Sequence, residues 1–302
     1  MTRSKLSLYA AVALATTGSL FAAPPFGGWS TPVRVDTLPA SAGDLATPAV
    51  EGCVSWSRDG LSLYFTSNRT GDFDIYVATR PTRDTGFSYV KRLPAPVNQP
   101  GTSESCPTIA NGNRLYFTGT KDDAAGDLYV SRKTPTGWTE PVNLGPNINT
   151  DGLDESPTFH EDAQGREVMY FNVRPINSGP GFSGESIIMM SVEGGPAVPV
   201  PGEVNATFFN ARPTLSRDGL TMWFDSTRSG FGGPDIFVAT RPSLSQPFGN
   251  VTHVPELSSP AFDARPAPSF DGASIAFSSS RPGSKSPAPD IWIASRDRLR
   301  GR

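Results

Sequence analysis

Along most of the chain, apolar and polar residues alternate with the period of β-strands, and the alternating stretches recur in a fixed order. The clearest copy spans residues 210–241, NARPTLSRDGLTMWFDSTRSGFGGPDIFVATR, and further copies begin near Glu51, Glu104, Asp154 and Asp263. The aligned aromatics Phe65, Phe117, Phe171, Phe224 and Phe277 stand 52, 54, 53 and 53 residues apart. A period that regular over five copies is the signature of a repeat architecture.

Each copy predicts three strands. The first runs into a turn at Asp59-Gly60, Asn111-Gly112, Asp218-Gly219 or Asp271-Gly272, where glycine supplies the positive φ of a tight hairpin. An aromatic-rich strand follows, such as Leu63-Tyr64-Phe65 or Met222-Trp223-Phe224. After a Gly-rich loop comes a β-branched strand headed by Asp74, Asp127, Asp235 or Asp290. A fourth short strand lies between copies, at Phe87 to Leu93, Trp138 to Leu144, Val198 to Val200 and Phe248 to Val254. Four antiparallel strands in a unit of this length make a propeller blade.

Residues 27–38, GGWSTPVRVDTL, match this fourth strand, with Trp29-x-x-Pro32-Val33 parallel to Trp138-x-x-Pro141-Val142. The chain thus opens with a fourth-type strand and its last copy lacks one. The predicted fold is all-β: a single five-bladed propeller over residues 24–302, closed by the N-terminal strand as outer strand of the last blade. A six-bladed ring would need a further copy, and none is found.

Composition agrees with this picture: 30 Gly and 30 Pro in 302 residues give a turn-dense chain. A net charge of −3 gives no electrostatic reason to expect nucleic acid as a partner. Arg3 and Lys5 precede an apolar run from Leu6 to Phe21, then Ala22-Ala23, which predicts a signal peptide over residues 1–23. That run is short for a bilayer span. The expected location is periplasmic or secreted, with no transmembrane segment once the signal is cleaved.

The copies resemble the TolB-type, WD40-like propeller repeat of bacterial envelope proteins. The resemblance rests on S-R-D-G-L-x-x-x-F-x-S-x-R-x-G…D-I-[YF]-V-A in Ser57 to Ala78 and Ser216 to Ala239, and on Asn147-Ile148-Asn149-Thr150…Asp154-Glu155-Ser156-Pro157. It covers nearly all of the mature chain. It implies a binding or scaffold module more than any particular chemistry. Blade 3 departs from the pattern, with Ser186 where Asp is expected and a longer loop at Pro175 to Glu185.

Arg69, Arg228 and Arg281 precede Asp74, Asp235 and Asp290 across the same loop, which predicts a structural Arg–carboxylate clip in each of three blades. The turn residues Asp59, Asp218 and Asp271 are also read as structural. His160 and His253 show no metal-ligand spacing and are read as solvated, as is the arginine-rich tail from Arg296. No nucleophile elbow or phosphate-binding glycine pattern is present.

Topology supplies the one candidate site. The innermost strands start on the face that carries the inter-blade loops, and at their heads stand Glu51, Glu104, Asp154, Asn210 and Asp263. The acids are expected to converge at one axial mouth, with Arg212 and Arg265 beneath, as a ligand-binding set; calcium is the ion that oxygen ligands alone would suit. The competing reading is that each acid caps its own loop. The only cysteines, Cys53 and Cys106, share one aligned position in neighbouring blades, so an exported chain is expected either to join them or to bury them as free thiols. The favoured function is a non-enzymatic envelope propeller that recognises a protein or glycan on its loop-rich face. The alternative is a glycoside hydrolase or lyase using axial carboxylates.

Overall fold

A computed structural model describes residues 26–110, 113–175, 184–207, 209–228 and 230–299. The expected signal segment 1–23, the Asn111-Gly112 turn and most of the Pro175 to Glu185 loop lie outside the described residues. Among the described residues twenty-one strands fall into five antiparallel sheets arranged as blades around an axis. Blade 1 holds β2 (Glu51–Trp56), β3 (Ser62–Ser67), β4 (Asp74–Thr79) and β5 (Tyr89–Arg92). Blade 2 holds β6 (Glu104–Ala110), β7 (Arg114–Gly119) and β8 (Asp127–Thr134), with two short outer pieces, β9 (Gly137–Trp138) and β10 (Val142–Asn143), both paired with β8. Blade 3 is β11 (Leu153–Glu161), β12 (Glu167–Arg174), β13 (Ile187–Val192) and β14 (Val198–Pro199). Blade 4 is β15 (Asn210–Leu215), β16 (Thr221–Ser226), β17 (Asp235–Thr240) and β18 (Gly249–His253).

Blade 5 has β19 (Asp263–Pro268), β20 (Ser274–Ser279) and β21 (Asp290–Ser295) from the C-terminal copy, and β1 (Val33–Arg34) as its outer strand. Val33 faces Ile293 and Arg34 faces Trp292, in antiparallel register. Further bonds from Gly27 N to Asp297 O and Ser30 N to Ser295 O extend the seam. The ring is therefore closed by the N-terminal strand, as the repeat count requires.

The turns form as their sequence dictates. Asp59 Oδ1 accepts from the Ser57 hydroxyl and the Leu61 amide, and Gly60 adopts φ 72°. Asp218 and Asp271 repeat the arrangement with Ser216 and Ser269. A second device escaped the sequence reading: Arg80, Arg241 and Arg296, at the ends of β4, β17 and β21, each donate Nε to the carbonyl of the turn glycine, at 2.8 Å. Arg296 also lies over the rings of Phe26 and Trp29. The tail arginine expected to be solvated is thus a tether, because its stem is partly covered and its guanidinium donates to the Gly272 carbonyl.

The core lies between the blades. Each of five apolar clusters draws on two adjacent blades: Trp56, Leu63 and Phe65 of blade 1 pack with Ala276, Ile291 and Ile293 of blade 5, and Trp223 and Ile236 of blade 4 pack with Phe277 and Trp292. The aligned phenylalanines are at most 2% exposed. At about 1.5–3 kcal/mol per buried large side chain, these seams hold the ring together.

Candidate functional site

The geometry at the axis comes from a bulge repeated in every innermost strand. Pairing with the second strand slips between Gly52 and Ser55, Ser105 and Thr108, Glu155 and Thr158, Ala211 and Thr214, and Ala264 and Ala267. At each slip one residue takes positive φ: Cys53 at 50°, Cys106 at 50°, Ser156 at 59°, Arg212 at 52° and Arg265 at 61°. Proline follows in four of the five, and its missing N–H suits an interrupted ladder.

The freed amides are held by the preceding blade. Cys53 N donates to Ser278 Oγ at 3.1 Å, Cys106 N to Thr66 Oγ1 at 2.9 Å, Arg212 N to Asn172 Oδ1 at 2.9 Å and Arg265 N to Asp225 Oδ1 at 3.0 Å. At the fifth seam the Thr118 hydroxyl donates to Asp154 O. Each of these partners directly follows an aligned phenylalanine. That column of Thr, Thr, Asn, Asp and Ser was visible in the sequence and was passed over.

The bulges bring five side chains to one level. Cys53 and Cys106 form a disulfide, with Cα atoms 4.7 Å apart. Ser156 Oγ lies 3.6 Å from Cys53 Sγ. Arg212 makes a paired contact with Asp225, both bonds 2.9 Å, and reaches Glu155 Oε1 at 3.0 Å. Burial would raise the Glu155 carboxyl, but the Arg212 and Arg265 charges outweigh it and hold the group below the usual carboxylate range. Among the described residues Arg265 has no ion pair, and its buried Nε has no hydrogen-bond partner. Burial first, then the neighbouring Arg212, pushes the Arg265 guanidinium down to about 10. Glycine at position 52 leaves room for Ser278, which a Cβ there would overlap, while Arg265 Nη1 would stand at an ordinary contact distance of 3.6 Å.

These five residues form the closed end of a funnel of about 450 Å³. No residue before them on any innermost strand lines the cavity. Its walls are the remainders of the innermost strands, including Val54, Ile109, Phe159, Leu215 and Pro266, and its rim is formed by the turns that follow, with Arg58, His160, Arg217 and Phe270. The funnel therefore opens on the face of the Asp-Gly turns, opposite the inter-blade loops where the sequence placed the site. His160, expected to be solvated, bridges blades 3 and 4 at this rim, with Nε2 3.3 Å from Arg217 O.

The expected ligand-binding acids stand apart from the funnel. Glu51, Glu104, Asp154 and Asp263 are buried beneath their own inter-blade loops. Glu51 accepts from Thr47, Glu104 from Thr102, Asp154 from Thr150 and Asp263 from Ser259. Among the described residues no group of three or more His, Cys, Asp or Glu is arranged to hold a metal ion. The loop-cap alternative describes these acids, because the short loop supplies hydroxyl and amide donors before any second carboxylate comes near. Arg212 and Arg265 do meet at the axis, with Glu155 and Asp225 as partners the sequence reading missed.

The expected clips are also joined differently. Arg69 donates to Glu51 Oε1 at 3.1 Å, Arg228 to the Asn210 side chain at 2.6 Å and Arg281 to Asp263 Oδ1 at 2.7 Å, so each arginine turns back to the head of its own innermost strand. Asp74 instead takes both nitrogens of Arg92 at 2.7 Å, Asp235 lies 3.9 Å from His253 and Asp290 lies 4.0 Å from Arg34. Those partners all come from the fourth strand. Blades 2 and 3 carry Lys121 and Pro175 where the clip arginine would be. There the head acids receive no guanidinium hydrogen bond, and burial pushes Glu104 and Asp154 up to about 7.

No family model and no curated protein matches the chain. Solved structures do resemble it. A GH43 endo-arabinanase from Bacillus licheniformis is 12% identical, with 84% of this chain and 94% of that one covered and a TM-score of 0.53. The catalytic domain of a GH62 α-L-arabinofuranosidase from Coprinopsis cinerea is 11% identical, over 91% and 98% of the two chains, also at 0.53. A putative TolB from Agrobacterium tumefaciens is 18% identical over 77% and 71%, with a TM-score of 0.46. At these identities the likeness to the two glycosidases is one of fold: the chain is a five-bladed β-propeller of the same architecture.

Proposed function

We propose that the chain is an exported, non-catalytic binding module of the cell envelope whose partner, a protein or a glycan, enters the axial funnel. The observation that carries this reading is the blind funnel with its carboxylates already engaged. Two-carboxylate glycoside hydrolysis needs an acid and a base or nucleophile facing the substrate in unequal environments. Here Glu155 and Asp225 share Arg212 behind the funnel floor, and Glu167 at the rim is tied to Arg114 at 2.6 Å. Glu161 is the one lining carboxylate among the described residues without an ion pair, and one does not make that chemistry. Export rests on residues 1–23 as a signal peptide and is supported by the Cys53–Cys106 bond, which persists in oxidising compartments. No helix among the described residues is long and apolar enough to cross a membrane.

The test compares the wild type with Thr158→Trp, which fills the funnel from its wall. Capture of an envelope protein or glycan by the wild type and its loss in Thr158→Trp, without turnover of cell-wall or plant glycans, is the expected result. Turnover abolished by Thr158→Trp would favour the glycosidase alternative, and capture indifferent to the substitution would remove the funnel from the reading.

A further inference from the structure

We propose that the funnel captures the free C-terminus of an acidic peptide, with Arg265 at the closed end taking the terminal carboxylate. This rests on the funnel being the binding site, and it goes further by naming the ligand chemistry. Five observations lead to it. The funnel is blind: the disulfide, Ser156 and the two arginines close it, so a chain can enter only by an end. A volume of about 450 Å³ falls at the small end of the range of ligand pockets, roughly 300–1,000 Å³, and suits a chain terminus and no more.

The closed end carries an unspent cation. Arg212 is neutralised by Glu155 and Asp225, whereas among the described residues Arg265 has no ion pair and its buried Nε–H has no partner. A planar guanidinium with two Nη groups side by side matches the two oxygens of a carboxylate. An incoming carboxylate would offset the repulsion from Arg212.

The walls favour a peptide over an acidic sugar. Val54, Ile109, Phe159, Leu215 and Pro266 are apolar, and of the wall hydroxyls Ser55 already accepts from Ile109 N and Thr214 already donates to Pro266 O. Thr108 and Thr158, with the spare donor of Ser55 and the spare acceptor of Thr214, suit a peptide backbone better than a ring of sugar hydroxyls, each of which loses stability if buried unpaired. An apolar terminal side chain would lie on the wall.

The rim supplies the acidic preference. Arg58 and Arg217 sit over the same Phe270 ring, 4.7 and 4.8 Å from its centroid, so an aromatic face and not a carboxylate holds them at the mouth. The carboxylates of their own turns, Asp59 and Asp218, are occupied by serine hydroxyls and backbone amides, which leaves Glu161 as the opposing charge at the rim. Residues upstream of a bound terminus would pass beside these two guanidiniums.

The experiment uses N-terminally labelled hexapeptides with Asp or Glu at the third and fourth positions and Leu, Ile or Val at the C-terminus, each made as free acid and as amide, with oligogalacturonate as a third probe. Fluorescence polarisation should show the free acid binding at least about 30-fold more tightly than the amide. Arg265→Gln should bring that ratio to about 1. Arg58→Ala/Arg217→Ala should weaken the acid peptide by about 5–10-fold and flatten its salt dependence while keeping the acid-to-amide ratio. Equal binding of acid and amide overturns the proposal, as does oligogalacturonate binding while no peptide binds, or no binding of any probe. If acid and amide bind equally and Thr158→Trp abolishes both, the funnel stands and the carboxylate reading falls. If Thr158→Trp leaves binding intact, the funnel itself is refuted.

Discussion

Glu104 and Asp154 should make this propeller less stable as the pH rises from 4.5 to 8. Both acids are buried at the seams where one blade meets the next, beside Asp74 and Asp127 of the preceding blade, and both lack the arginine that serves the same position in blades 1, 4 and 5. Burial pushes each up to about 7, so between roughly pH 4.5 and 7 the native protein holds protons that the unfolded chain has released. Stability from this source is fully present below the unfolded value and is lost as pH rises through 7. For Glu104 the displacement from 4.5 to about 7 corresponds to roughly 3 kcal/mol. Solvent at the inter-blade loop screens the charge and brings the expected effect to about 1–2 kcal/mol. Glu104→Gln keeps the shape and the bond to Thr102 but carries no charge. Its melting temperature should exceed that of the wild type by about 3–6 °C at pH 8.5 and match it near pH 5. Asp154→Asn should behave alike. If Glu104→Gln lowers the melting temperature equally at both pH values, the carboxylate is ionised throughout and the reasoning fails.

Two further outcomes follow from the axis. Replacing both Cys53 and Cys106 by alanine releases a constraint across 53 residues and should cost about 2–4 kcal/mol, read as a lower denaturant midpoint; two free thiols per unreduced chain would contradict the bond itself. Arg212→Ala leaves Glu155 and Asp225 buried without their shared cation and should cost about 3–5 kcal/mol, whereas a loss under about 1 kcal/mol would mean that water replaces the guanidinium.

The blade count, the closing strand and the turn chemistry were legible because they are written as spacing. Strand period, Asp-Gly turns and a 53-residue rhythm are local signals that need no knowledge of which side chains meet. The pairing of Cys53 with Cys106 was half legible: alignment put both at one level, but whether two strands approach to 4.7 Å depends on a bulge that no residue pattern announces. The partners of Arg69, Arg228 and Arg281 were misassigned because proximity in sequence favoured the aspartate five to nine residues on. In three dimensions the second strand runs back beside the first, so its end lies next to the first strand's head. The position of the site was lost for a related reason. Conspicuous acids drew attention to the face where the innermost strands begin, yet there they are consumed by local donors. The open cavity lies past the bulges, lined by prolines, threonines and aliphatic residues without an evident chemical label.

The bulges at Cys53, Cys106, Ser156, Arg212 and Arg265 also separate what the repeat conserves from what it can vary. A residue at φ near 55° in a strand costs on the order of 1 kcal/mol or more, yet the ring accepts this five times, four of them with the amide secured by the blade before it. Since the amide carries the bond between blades at those positions, strand register does not depend on which side chain stands there. Five seats therefore face one small space, and a change of occupant alters stability and polarity there without requiring a new strand register. Here the occupants are two sulfurs, a hydroxyl and two guanidiniums. Another set on the same scaffold would give the chamber a different polarity, so binding preference in such a ring can drift one blade at a time.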